Sequence, residues 1–226
     1  MLTIGIDDAG RGPLIGPMIL AGVLADENSE TTFKKIGVKD SKMLLHEKRI
    51  KLSKLIEQAS LAFHVVKTYP EQIDSALQDK INLNTLEAMK TAEIINALNS
   101  EDKKIKVIVD CPSTNTFAWR KTLFGFIKHP DNLEVHCEHK ADANHASVSA
   151  ASILAKVARE EEVSKLKKQY GKIGSGYPSD PDTKMFLQKQ GKQLANSGIF
   201  RKSWATWKSM FPEYSKEKKQ TSLGDY

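Results

Sequence analysis

Cysteine is nearly absent from this sequence: 226 residues contain only Cys111 and Cys137. Their spacing makes no metal motif, and they read as buried thiols of a reduced compartment. A disulfide stays open only for a thermophilic source. Long apolar runs are missing as well. Nothing approaches about 18 consecutive apolar residues, so no transmembrane helix is expected. The opening "MLTIGIDDAG" has neither a basic segment nor a long apolar one, so a signal peptide is not expected and the chain reads as cytoplasmic from Met1. Arginine is the third scarcity. Arg11, Arg49, Arg120, Arg159 and Arg201 are the only five, and lysine carries the rest of a net charge of +6. A pI near 9.1 favours a polyanionic partner without proving one. Lysine heads suit sequence-independent phosphate contact. An arginine enclosed by glycines, Gly10-Arg11-Gly12, therefore stands out.

A hydrophobic share of 40% and a charged share of 27% are ordinary for a globular chain with one sizeable core. Leu2–Asp7 and Met18–Ala25 read as buried strands joined by a Gly/Pro turn. "VKDSKMLLHEKRIKLSKLIEQA" passes from a polar loop into a helix, "LAFHVVKTY" is strand-like, and Pro70 opens a short helix. Asn82–Leu98 is a longer helix. "KIKVIVD" is the clearest buried strand and ends on Asp110, "TFAWRKTLFGFIK" is helical, and "NLEVHCEHKADAN" is a strand leaving into a loop with Asp142. Ser147–Tyr170 is a long helix whose small residues allow close approach to a sheet. A Gly/Pro loop, "GKIGSGYPSDPDT", then leads to a helix over Pro181–Asn196, and Ser203–Met210 can add another. The order β-β-α-β-α-α-β-α-β-α-α predicts an α/β fold with a mixed central sheet flanked by helices and a C-terminal helical region. Residues 1–211 read as one domain and 212–226 as a basic, flexible tail.

Three strand ends carry carboxylates: Asp7 with Asp8, Asp110, and Asp142. Each alone is well explained as a helix cap or turn residue. As a set they would crowd like charges at one end of a sheet, tolerable if divalent cations neutralise them. Oxygen ligands without His or Cys suit Mg²⁺ or Mn²⁺. Two such ions ~3.5–4 Å apart would activate a water and stabilise a leaving oxygen in phosphoryl transfer. Neighbours on a regular strand point to opposite faces, so Asp7 and Asp8 share one site only if the strand ends there.

"GIDDAGRGPLIGP" resembles the signature of type 2 ribonuclease H, usually Asp-Glu-Ala-Gly-Arg-Gly-Pro. "VKDSK", "VIVD", "HKADANHASVSAASILAKVARE" and "GSGYPSDPDT" resemble that family's later blocks in the same order, over roughly residues 3–205. The wording is closer to archaeal than bacterial members. The resemblance implies an RNase H-like fold and hydrolysis of the RNA strand in RNA/DNA hybrids. It also implies incision 5′ of ribonucleotides embedded in duplex DNA, leaving 5′-phosphate and 3′-hydroxyl ends. It implies metal binding by Asp7, Asp8, Asp110 and Asp142, 2′-hydroxyl sensing by Gly10, Arg11 and Gly12, stacking by Tyr177 and a phosphate contact by Lys42. By spacing alone, a plain hairpin turn for Gly10-Arg11-Gly12 and a packed loop aromatic for Tyr177 are the commoner readings.

One residue departs from the pattern: Asp8 stands where the family has Glu. A missing methylene shortens that ligand by roughly 1–1.5 Å, against a catalytic tolerance of about 0.5 Å. A weakly active or non-catalytic hybrid-binding homologue is therefore the alternative, while a DNA-directed nuclease would leave Gly10-Arg11-Gly12 without a role. The last residues place Gln220, Leu223 and Tyr226 at the spacing of a peptide that docks on sliding clamps of the PCNA type. A solvated tail is the competing reading. Nothing in the sequence requires a partner subunit, so a monomer is expected.

Overall fold

A computed structural model describes residues 1–38 and 45–214. Strands β1 (Leu2–Ala9), β2 (Met18–Ala25), β3 (Ala62–Thr68), β4 (Ile105–Asp110) and β5 (Leu133–Glu138) form one sheet in the order β3-β2-β1-β4-β5. The β3-β2-β1 half is antiparallel and the β1-β4-β5 half parallel. This is the mixed sheet the alternation of elements predicts. The helices are α1 (Glu27–Ile36), α2 (His46–Ala59), α3 (Pro70–Gln78), α4 (Leu83–Leu98), α5 (Thr116–Phe124), α6 (Ala141–Asn144), α7 (Ala146–Tyr170), α8 (Pro181–Gln190) and α9 (Ala205–Met210). None of the described helices is long and apolar enough to cross a membrane.

The strand pleat sorts side chains into two cores. Ile4, Ile6, Met18, Leu20, Leu24, Val107 and Val109 join α4 and α5 on one face. Ile19, Ala21 and Val23 join α1, α2 and α7 on the other. Helix α7 lies very close to β1. A Cβ built on Gly5 would meet the Ser147 backbone carbon at 2.3 Å, so only glycine there, facing small residues on the helix, permits the contact. The C-terminal lobe has its own core, in which Leu14 and Ile15 pack with Phe186, Ile199, Phe200 and Trp207. Its aromatic column continues from Phe200 to Trp207 at 4.7 Å and from Trp207 to Phe211 at 4.6 Å between ring centroids.

Several details differ from the sequence-based expectation. Helix α1 was not anticipated, although its signals are present. Asp26 caps it by accepting from the Ser29 amide at 2.8 Å, Glu27 and Glu30 occupy the first turn, Lys34 and Lys35 the last, and Gly37 stops it in the left-handed region. Asp142 lies on the short helix α6 rather than in a loop. Helix α8 ends at Gln190, short of Asn196. Turns there bring Ile199 and Phe200 back alongside Leu14–Gly16, where Ile15 bridges Phe200. Pro212–Tyr214 form a 3₁₀ turn, with Tyr214 set edge-on to Trp207 at 6.1 Å. These first three residues of the expected tail thus belong to the lobe. Cys111 and Cys137 are both free.

Candidate active site

The register of the parallel half brings the acids together. Ile6 pairs with Val109, so Asp7 and Asp110 come side by side at the carboxyl ends of the two central strands. Beyond β5, Lys140 adopts a left-handed backbone with φ 57° and starts α6, which carries Asp142 back to them. One oxygen from each of Asp7, Asp110 and Asp142 lies within 4.8 Å of the others. Asp7 and Asp142 are buried, at 8% and 7% exposure. The Asp8 amide donates to Asp7 Oδ1 at 2.8 Å, and Ser152 on α7 hydrogen-bonds the same carboxyl. Burial pushes the Asp7 carboxyl up to about 7, with the charges of Asp8 and Asp110 adding to it and the Ser152 bond opposing. Three converging carboxylates without nitrogen or sulfur donors fit a hard divalent cation, which would relieve that cost.

Asp8 neighbours this trio without contributing one of its converging oxygens. Strand β1 runs through both acids to Ala9, so the pleat sends Asp7 toward α7 and Asp8 toward α4. Burial, then the nearby Glu87 carboxylate, push Asp8 up to about 7, while Arg11 and Lys156 pull it down. A cavity of about 10 Å³ is lined by Asp7, Asp8 and Asp110 together with Glu87 and Thr91, room for about one water.

The Gly-Arg-Gly loop is gripped from three directions. Gly10 has φ 80°, and a Cβ there would lie 2.3 Å from Arg159 Cδ, so this turn requires glycine. The Arg11 side chain turns to α4, donating from Nε to Glu87 Oε2 at 2.8 Å and from Nη2 to Asn84 Oδ1 at 2.6 Å. On the C-terminal side, Arg201 donates to the Gly10 carbonyl at 2.6 Å and the Arg11 carbonyl at 2.7 Å. Trp204 Nε1 donates to the Gly12 carbonyl at 3.0 Å. Tyr177 lies beside Gly12, with its Cε1 3.5 Å from where a Cβ would sit, and the residue is 44% exposed. Asp8, Gly10, Arg11, Gly12, Lys156 and Tyr177 line one groove of about 660 Å³.

The structure thus joins Asp7, Asp110 and Asp142 in one cluster, and places Asp8, Gly10, Arg11, Gly12 and Tyr177 along the adjoining groove. Lys42, Gln220, Leu223 and Tyr226 lie outside the described residues. Sequence reasoning missed Ser152, Glu87, Asn84, Arg159, Arg201 and Trp204. A usable signal existed for two of them, since Arg159 and Arg201 belong to the five arginines.

A mixed sheet of this order, with carboxylates meeting at its central strands against a long helix, defines a nuclease of the ribonuclease H fold class. The sequence matches the Ribonuclease HII family over residues 4–207. The chain belongs to that family and is a ribonuclease H, a hydrolase acting on RNA/DNA hybrids. The ribonuclease HII of Methanocaldococcus jannaschii is 40% identical over 235 residues, covering 99% of this chain and 99% of that protein. That of Pyrococcus furiosus is 40% identical over 225 residues, covering 98% and 96%. The crystal structure of ribonuclease H2 from Pyrococcus horikoshii superposes with a TM-score of 0.84 at 36% identity, covering 96% of this chain and all of that one. Ribonuclease HII from Archaeoglobus fulgidus, solved in complex with PCNA, gives a TM-score of 0.79 at 36% identity, covering 90% and 95%.

Proposed function

We propose that this chain cuts the RNA strand of RNA/DNA hybrids and nicks duplex DNA on the 5′ side of an embedded ribonucleotide. The observation that carries this reading is the convergence of Asp7, Asp110 and Asp142 beside a glycine loop whose groove holds Tyr177 and Lys156. Asp7, Asp110 and Asp142 would hold divalent cations, Mg²⁺ or Mn²⁺, with Asp8 at their margin. Two such ions, when bound, supply an activated water and charge neutralisation at the scissile phosphate, leaving 5′-phosphate and 3′-hydroxyl ends. The chain's own residues do the rest. Ser152 orients Asp7. The loop presents backbone donors where no Cβ blocks a sugar. The exposed Tyr177 ring offers a stacking platform, and Lys156 and Lys42 give cations for phosphates.

The arginine's role changes in this reading. Its guanidinium is committed to Glu87 and Asn84, so the sensing falls to the loop's amides. We further propose that the chain works as a cytoplasmic monomer and that Gln220, Leu223 and Tyr226 dock the tail on a sliding clamp. The clamp reading draws support from the Archaeoglobus fulgidus relative, solved in complex with PCNA. Asp8 outside the three-acid group favours a second reading, a weakly active hybrid binder. One assay separates the two: a duplex with a single ribonucleotide against its all-DNA counterpart, in Mg²⁺ and in Mn²⁺. Cleavage 5′ of the ribonucleotide is expected, and binding without cleavage in either metal overturns the nuclease reading.

A further inference from the structure

Arg201 is fully buried, at 0% exposure, and every hydrogen bond it makes among the described residues goes to a backbone carbonyl. Nη1 donates to Arg11 O at 2.7 Å, Nη2 to Gly10 O at 2.6 Å and to Gly16 O at 3.0 Å, and Nε to Gly16 O at 3.1 Å. Trp204 stacks on it, with the guanidinium carbon 4.9 Å from the ring centroid, and itself holds Gly12 O. Helix α3 fixes this segment from behind, as Asp74 accepts from the amides of Lys202 at 2.7 Å and Ser203 at 2.9 Å. Burying a guanidinium against neutral carbonyls, with no carboxylate bonded to it, is costly. A bulky apolar side chain could fill the same volume without that cost.

Peptide geometry shows what the arrangement achieves. In a trans peptide the C=O of one residue and the N–H of the next point in opposite directions. Holding Gly10 O and Arg11 O against the C-terminal lobe therefore turns the amides of Arg11 and Gly12 away from it, toward the groove. Neither amide donates a hydrogen bond among the described residues. The buried charge behind the carbonyls also polarises these peptide groups and strengthens their N–H donors. The Gly12 carbonyl held by Trp204 precedes Pro13, which has no N–H, so Trp204 sets the loop's exit and braces Arg201.

We infer that Arg201, braced by Trp204, is a positioning residue that aims the Arg11 and Gly12 amides at the substrate sugar and so sets the preference for ribose over deoxyribose from the C-terminal lobe. This rests on the reading of that loop as the 2′-hydroxyl sensor. It acts through the loop and touches no substrate atom itself.

The test compares dissociation constants, by fluorescence anisotropy without divalent cation, for a duplex carrying one ribonucleotide and the same duplex in all-DNA form. Arg201→Lys keeps the charge but loses the fork, and its ribo-to-deoxy affinity ratio should fall about 5–30-fold, the worth of one or two hydrogen bonds. Trp204→Phe keeps a stacking ring and removes one donor, and its ratio should fall about 2–5-fold with little change in melting temperature. Affinity for the all-DNA duplex should stay at the wild-type value in both. A ratio unchanged in folded Arg201→Lys, or equal weakening on both duplexes, overturns the inference and leaves Arg201 a fold anchor. Where Arg201→Lys does not fold, Trp204→Phe decides by the same ratio. A wild-type protein that binds the two duplexes equally overturns instead the reading of the loop as sensor.

Discussion

Removing divalent metal should leave a protein whose stability falls as pH rises from about 4 to 7, and adding metal should reverse that trend. Asp7 carries the reasoning. Its carboxyl moves from the ordinary 3.8 to about 7, chiefly through burial. The folded state thus holds this proton more tightly than the unfolded chain does, so stability is highest below the unfolded pKa and is lost as pH climbs through the folded one. At 1.36 kcal/mol per pKa unit, the loss at pH 8 is about 4 kcal/mol for Asp7. Asp8, also raised to about 7, adds less than a second full share because the two carboxylates interact. Groups shifted the other way, such as Asp180 at about 2, finish titrating below pH 5 and do not mask the effect. For a chain of this size each kcal/mol corresponds to roughly 2–4 °C in melting temperature. Scanning fluorimetry in chelator from pH 5 to 8 should show a decline that Asp7→Asn flattens. Adding Mn²⁺ should raise the melting temperature far more at pH 8 than at pH 5, since only the ionised trio binds it. A metal-induced gain equal at both pH values, or intact in Asp7→Asn, refutes the assignment of these carboxylates to a cation.

Three further outcomes can be checked. Asp8→Glu restores the family's residue and should preserve or raise Mg²⁺-supported cleavage; a sharp loss would show that the site is fitted to the shorter side chain. Gly10→Ala forces a Cβ to within 2.3 Å of Arg159 Cδ at φ 80°, adding about 1–2 kcal/mol of left-handed strain to about 1–3 kcal/mol of overlap. Its melting temperature and its kcat/KM on a ribonucleotide-containing duplex should both fall, and wild-type values for both would contradict the packing described. Deleting residues 218–226 should leave hybrid cleavage intact while abolishing clamp capture in a pull-down, and undiminished capture would remove the docking role from Gln220, Leu223 and Tyr226.

Much of the architecture was legible because periodicity and punctuation agree along the chain. "KVIVD" could only be a buried strand ending on an acid, and the small-residue run from Ser147 announced a helix pressed on the sheet. Helix α1 escaped because only Phe33 and Ser29 are buried and it offers little apolar stripe, although its caps were readable. The three-acid cluster followed from strand ends. The separation of Asp7 from Asp8 followed from the pleat once β1 proved to continue to Ala9. What no local pattern could supply was the grip on the loop. Asn84, Glu87, Arg159, Arg201 and Trp204 are distant in sequence and meet Gly10–Gly12 only after three layers have packed.

The bond from Arg201 to the Gly10 carbonyl spans 191 residues, and that distance bears on biosynthesis. All three clustered acids have been translated by residue 142, yet the loop keeps its final shape only after the segment around residue 201 has emerged and docked. Closing such a long contact is slow and comes after local structure. A chain still on the ribosome, beside the message that encodes it, would therefore carry a formed sheet without a finished Gly10–Gly12 loop. The Trp204 indole proton, bonded to Gly12 O at 3.0 Å, reports this step: in pulsed hydrogen exchange during refolding it should gain protection after the amides of β1 and β4.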